Sequence, residues 1–121
     1  MANRNWNRLQ ALEKEVKHLH ADVSIGSSGA PTITKALGIA SIARNSAGVY
    51  TVTLDDKFMR LMDFRVTQLV ASAEDLKFQL VAESVSSAKT VQFRCIAVGT
   101  ETDPSSGSRL LIKLELKNSS I

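Results

Sequence analysis

Cysteine is nearly absent: Cys95 is the only one among 121 residues. No disulfide can form within the chain, so a fold held by paired cysteines in an oxidising compartment is not expected. Aromatic side chains make up 5% of the chain, with a single Trp, which argues against a carbohydrate site built from exposed stacking platforms. No apolar run approaches the roughly 20 residues of a membrane-spanning helix, and the opening MANRNWNRLQ lacks the apolar stretch of a secretory signal. No membrane partner is expected. An excess of one charge is lacking too. The net charge is +3, with five basic residues against three acidic ones in residues 1–35 and ten against nine in residues 36–121. Neither part has the dense basic stripe that neutralises phosphates, so no nucleic-acid partner is expected.

Candidate chemistry is equally sparse. His18 and His20 are the only histidines; read on a helix, residues two apart point away from each other and cannot chelate one metal. Gly48 in AGVY has no phosphate-loop lysine beside it, and Gly26 and Gly29 sit in a Ser-rich stretch, so nothing cradles a nucleotide. Cys95 lies in an apolar alternation and reads as a small buried hydrophobe, with no histidine after residue 20 to activate it. Asp55, Asp56 and Asp63 lack the alternating oxygen ligands and turn glycine of a calcium loop, and helix capping is the simpler role. The expectation is a protein with no catalytic, metal or cofactor residues, and not an enzyme.

What the chain does have is 44% hydrophobic residues whose period changes along its length. Leu9, Leu12, Val16, Leu19 and Val23 step by three and four, which predicts an amphipathic, coiled-coil-like helical arm over residues 1–23. About two heptads are too few to stand alone in water, so the stripe must pack on other copies, on a partner surface or on its own β-domain. With Leu9 at an a position, Arg8 and Glu13 fall where an interhelical ion pair would favour parallel copies. Trp6 either extends the stripe or inserts into a neighbour, and both make it an interface residue. The candidate interface is thus Trp6, Leu9, Leu12, Val16, Leu19 and Val23.

Residues 24–37, containing SIGSSGAPTITK, read as a flexible linker. The β-domain over residues 38–121 is expected to fold without the arm. In it, residues 39–43 and 49–54 form a hairpin about a turn at 45–48, with Tyr50, Val52 and Leu54 on one face. KFMRLMDF is expected to make one or two helical turns whose Phe58, Leu61 and Met62 plug one end of the core. Strands follow at 66–71, at 77–82 with Phe78, Leu80 and Ala82 together, and at 90–98 with Val91, Phe93, Cys95 and Ala97 together. The last, at 109–117, sets Leu110, Ile112, Leu114 and Leu116 against charged neighbours. Such spacing predicts a mainly β fold, a β-sandwich or jelly-roll-like domain. The polar loop 99–108 is expected to be a mobile tip.

The stretch GIASIARNSAGVYTVTLDDKFMRLM and the closing LLIKLELKNSSI resemble segments of small structural proteins of tailed bacteriophages, in which a Gly-Val-Tyr-Thr-Val-Thr-Leu hairpin opens a β-domain and a strand ending in Asn-Ser-Ser closes it. The resemblance spans the last two thirds of the chain. It implies a virion component made in the bacterial cytoplasm: a capsid decoration or cement protein, a head fibre, or a tail or baseplate part. Such proteins are commonly homotrimers attached to the major capsid protein or to other virion proteins. A host-receptor or glycan-binding module using the loop 100–108 is the alternative from another class.

Overall fold

Two periods compete for the first apolar residues, and the strand period wins. The computed structural model describes residues 16–118. Its first element is a strand, β1 (Val16–Ile25), in which Leu19, Ala21, Val23 and Ile25 point into the core and His18 and His20 point out. Residues 16–23 are therefore not helix. Leu19 and Val23 are four apart, an interval common to a helical stripe and a strand face; Ala21 and Ile25 decide between the two, because they lie off the helical stripe yet are buried. Trp6, Leu9, Leu12, Arg8 and Glu13 lie outside the described residues.

The remaining strands are β2 (Pro31–Leu37), β3 (Ile39–Ser46), β4 (Val49–Leu54), β5 (Arg60–Leu69), β6 (Lys77–Ser84), β7 (Thr90–Ala97), β8 (Thr100–Glu101) and β9 (Arg109–Lys117). They form two antiparallel sheets. Sheet A has the order β2-β1-β9-β5, and sheet B the order β3-β4-β7-β6, with β8 added to the end of β7. Among the described residues the only helical element is a single 3-10 turn, Ser27–Gly29. The expected linker thus contains that turn and β2, and β1 is a central strand of the sandwich rather than part of a separable arm. A β-sandwich is what the fold is. The strand order does not supply the jelly-roll refinement, since β1–β2, β3–β4 and β6–β7 are hairpin pairs within a sheet.

The core is made by alternation on the central strands. Tyr50, Val52 and Leu54 of β4, Val91, Phe93 and Cys95 of β7, and Leu110, Ile112, Leu114 and Leu116 of β9 are all at most 2% exposed, so each central strand buries one full face between the sheets. Phe93 sits at the middle, with the rings of Tyr50, Phe64 and Phe78 centred 5.6, 5.3 and 6.4 Å away.

The expected helix at KFMRLMDF is instead an irregular crossing from sheet B to sheet A followed by the start of β5. Phe58 does close one end of the core, anchored by its N–H to the carbonyl of Val85 at 2.9 Å. The helical look of the segment has a specific cause. A β-bulge between Leu61 and Asp63 leaves Met62 as an extra residue, 52% exposed, so Leu61 and Phe64 face the core three positions apart rather than two. Two glycines are required where the chain turns. Gly38, at φ +79 between β2 and β3, would place a Cβ 2.3 Å from Leu19 Cδ2, and Gly48, at φ +74, would place one 2.6 Å from the Thr102 nitrogen.

Candidate binding surface

Among the described residues the most connected polar group is a fastening. Asp103 accepts bonds from Arg44 Nε at 3.0 Å and Nη2 at 2.8 Å, and from the Gly48 N–H at 2.7 Å. The buried Tyr50 hydroxyl lies 3.4 Å from the same carboxylate and donates to the Gly29 carbonyl at 2.8 Å. The Arg44 guanidinium, with the Gly48 N–H, holds the Asp103 carboxyl below its ordinary range, and burial raises the Tyr50 phenol. Five segments meet here: the 3-10 turn, β3, the β3–β4 turn, β4 and the loop after β8. The loop 99–108, expected as a mobile tip, is thus tied down at Asp103, where it meets Arg44, and at Ser105, which bonds to Glu74.

Cys95 is fully buried, and burial pushes its thiol up to about 12, so it stays protonated and packs as a small hydrophobe. His18 and His20 share the outer face of β1, because on a strand residues two apart lie on the same side. Among the described residues no group of three His, Cys, Asp or Glu could hold a metal. No helix among them is long and apolar enough to cross a membrane.

A larger surface lies on the outer side of sheet A. The residues that alternate with the core face come into rows across the strands: Leu37, His20, Lys113 and Arg65 in one, and Lys35, Asp22, Leu111 and Thr67 in the next. They line a shallow depression of ≈ 640 Å³, with Leu37 (64% exposed) and Leu111 (41% exposed) as its apolar part. Among the described residues of this face, Lys35, Arg60, Arg65, Arg109, Lys113 and Lys117 stand against three carboxylates, those of Asp22, Asp63 and Glu115. Arg109 clamps Asp22 and Arg65 bonds Asp63 at 2.7 Å, and each guanidinium holds its carboxylate below the ordinary range. The arrangement offers cations around an apolar floor. Such a surface complements a ligand that is acidic and partly apolar.

Of the residues proposed from sequence as an interface, Leu19 and Val23 are 7% and 0% exposed inside their own chain, and Val16 is half-buried at the end of β1. None of the three is free to form a coiled-coil seam. The residues of the outer face, Lys35, Leu37, Arg65, Leu111 and Lys113, were not singled out from sequence. Their signal is the complement of the core alternation in β9, which places Leu111 among charged residues on the wrong side for burial. Comparison with family models, with curated proteins and with solved structures gives no match.

Proposed function

We propose that the chain is a non-enzymatic structural component of a tailed-phage particle, attached to the shell as a decoration, cement or head-fibre protein and assembled with copies of itself. One observation carries it: the outer face of sheet A joins exposed leucines to an excess of basic side chains across four strands, a surface suited to a large acidic protein partner. The segments that carry the phage resemblance are consistent with this, since they form the β3–β4 hairpin and β9, the framework of the two sheets. The polar clusters described above serve the fold, and the exposed apolar residues remain for contacts.

The test is the copy number of this chain in purified particles, measured by quantitative mass spectrometry. A shell protein is present in hundreds of copies. Absence from the particle refutes the proposal, and a handful of copies moves the protein to the tail. A specific feature favours that second role: Val98 is 98% exposed at φ +51, a strained position for a β-branched residue, at the tip of the β7–β8 turn. In a tail or host-binding component that tip would be a contact point.

A further inference from the structure

Charge is distributed unevenly over the outer face of sheet A. On β9 and β5 like charges stand directly opposite each other in three successive rows: Lys117 opposite Arg60, Glu115 opposite Asp63, and Lys113 opposite Arg65. Like charges so placed destabilise a sheet unless their neighbours offset them. The acidic row has a basic row on either side. The row of Lys113 and Arg65 has the acidic row on one side only, and on its other side come Leu111 and Thr67. Asp22, the carboxylate that lines the depression, is clamped by Arg109, and Arg65 is bonded to Asp63. Among the described residues neither Lys35 nor Lys113 has a carboxylate within ion-pair distance.

The basic side chains form a line across the sheet. Lys35 of β2, His20 of β1, Lys113 of β9 and Arg65 of β5 come one from each strand, and all are exposed. Neighbouring strands are about 4.8 Å apart, so the line from Lys35 to Arg65 is about 16 Å long, the reach of about five or six extended residues. Leu37 and Leu111 flank it, one on each side.

We propose that this line binds an acidic peptide segment of the partner, with its carboxylates at Lys35 and Lys113 and its aliphatic side chains on Leu37 and Leu111. The inference rests on reading this face as the contact surface, and adds what the partner presents there. Charge complementarity selects the occupant. Face to face, a second copy of the chain would set cations against cations. A nucleic-acid backbone would meet Asp22, Asp63 and Glu115, and would leave the leucines uncovered. An acidic segment with aliphatic side chains answers the two lysines and covers the leucines together. Each exposed ion pair adds little, so one segment binds weakly and many copies on a repeating surface hold by avidity.

Titration of the full chain with the capped peptide Glu-Leu-Glu-Leu-Glu, followed by backbone amide NMR, tests this. Saturable shifts are expected at His20, Lys35, Arg65, Leu111 and Lys113, and none with Gln-Leu-Gln-Leu-Gln. Lys35→Glu and Lys113→Glu, both at exposed positions, should keep the urea midpoint and each weaken binding at least about five-fold, whereas Lys77→Glu, exposed on sheet B, should change it less than about two-fold. The inference is overturned if no saturable shift occurs, if the shifts centre elsewhere, if the glutamine peptide or an oligothymidylate of equal charge binds as tightly, or if Lys77→Glu weakens binding as much as Lys113→Glu. The particle assignment is decided separately, by copy number: a chain present in hundreds of copies that ignores the peptide makes its shell contact through another face.

Discussion

Replacing Ala21 by Asp tests the strand assignment of residues 16–25 where the two periods differ most. On the helical stripe of Leu9, Leu12, Val16, Leu19 and Val23, residues 20 and 21 both fall off the apolar side, and a carboxylate at either would be harmless. In the sandwich they are opposites. Ala21 is 5% exposed, in the core beside Leu19 and Val23, while His20 stands on the outer face opposite Lys113. A carboxyl buried there without a partner costs about 2–7 kcal/mol even when it takes up a proton to avoid carrying charge, and the extra atoms add about 1–3 kcal/mol of overpacking. Against a total stability of about 5–15 kcal/mol for a domain of this kind, Ala21→Asp should leave the chain unfolded or barely folded at pH 7. Ala21→Ser, which buries one hydroxyl, should cost about 1–3 kcal/mol, or a fall in Tm of about 4–20 °C. His20→Asp should stay within about 0.5 kcal/mol of the parent. Urea titration followed by circular dichroism measures all three. If Ala21→Asp unfolds at the same urea concentration as His20→Asp, residues 16–25 are not a central strand and the sheet A topology is wrong.

Removing residues 1–23 should abolish cooperative unfolding, because it takes away Leu19, Ala21, Val23 and one of the two strands that flank β9; a sharp thermal transition in the truncated chain would refute this. Asp103→Ala leaves the buried Gly48 N–H without its carboxylate acceptor and should cost about 2 kcal/mol, measured by urea titration. Since the folded state lowers the Asp103 pKa, its contribution is present above the unfolded value near about 4 and is lost as pH falls through the folded value; Asp103→Asn should flatten the acid limb of the stability curve. The Cys95 thiol is shifted the other way, up to about 12, so its contribution is complete below the unfolded value and declines as pH rises from about 9 toward 12. Cys95→Ala should cost about 1–2 kcal/mol at neutral pH yet delay alkaline unfolding until Tyr50 titrates, and a thiol reagent should label the parent protein only when it unfolds.

The strands that were legible in the sequence are those with an unbroken alternation. In β4, β7 and β9 every second residue is apolar, and their core face follows from that alone; their register does not, because a two-residue slip keeps the same face inside. Where a bulge inserts a residue, the spacing becomes three and imitates a helix, as at Leu61 and Phe64; the same effect shifts the pattern of β6 after Leu80, so that Ala82 is exposed and Phe78 is half-buried. In β1 the failure was of weight rather than spacing: Ala21 counts little in a hydrophobic stripe but marks the buried face of a strand. The candidate surface was hidden for a related reason. Its residues come from β1, β2, β5 and β9, far apart in sequence, and become a group only through the register of sheet A.

The pairing of β1 with β9, in which Val16 lies opposite Lys117, joins the two ends of the described chain in the middle of one sheet. Sheet A therefore cannot assemble before β9 is made; until then β1 and β2 must wait as a lone hairpin. A two-stranded hairpin is marginal in water, and long-range pairing of this kind slows folding. The waiting hairpin exposes Leu19, Val23 and Ile25 during synthesis, which makes the interval before β9 arrives the stage of greatest exposure to aggregation or to a chaperone.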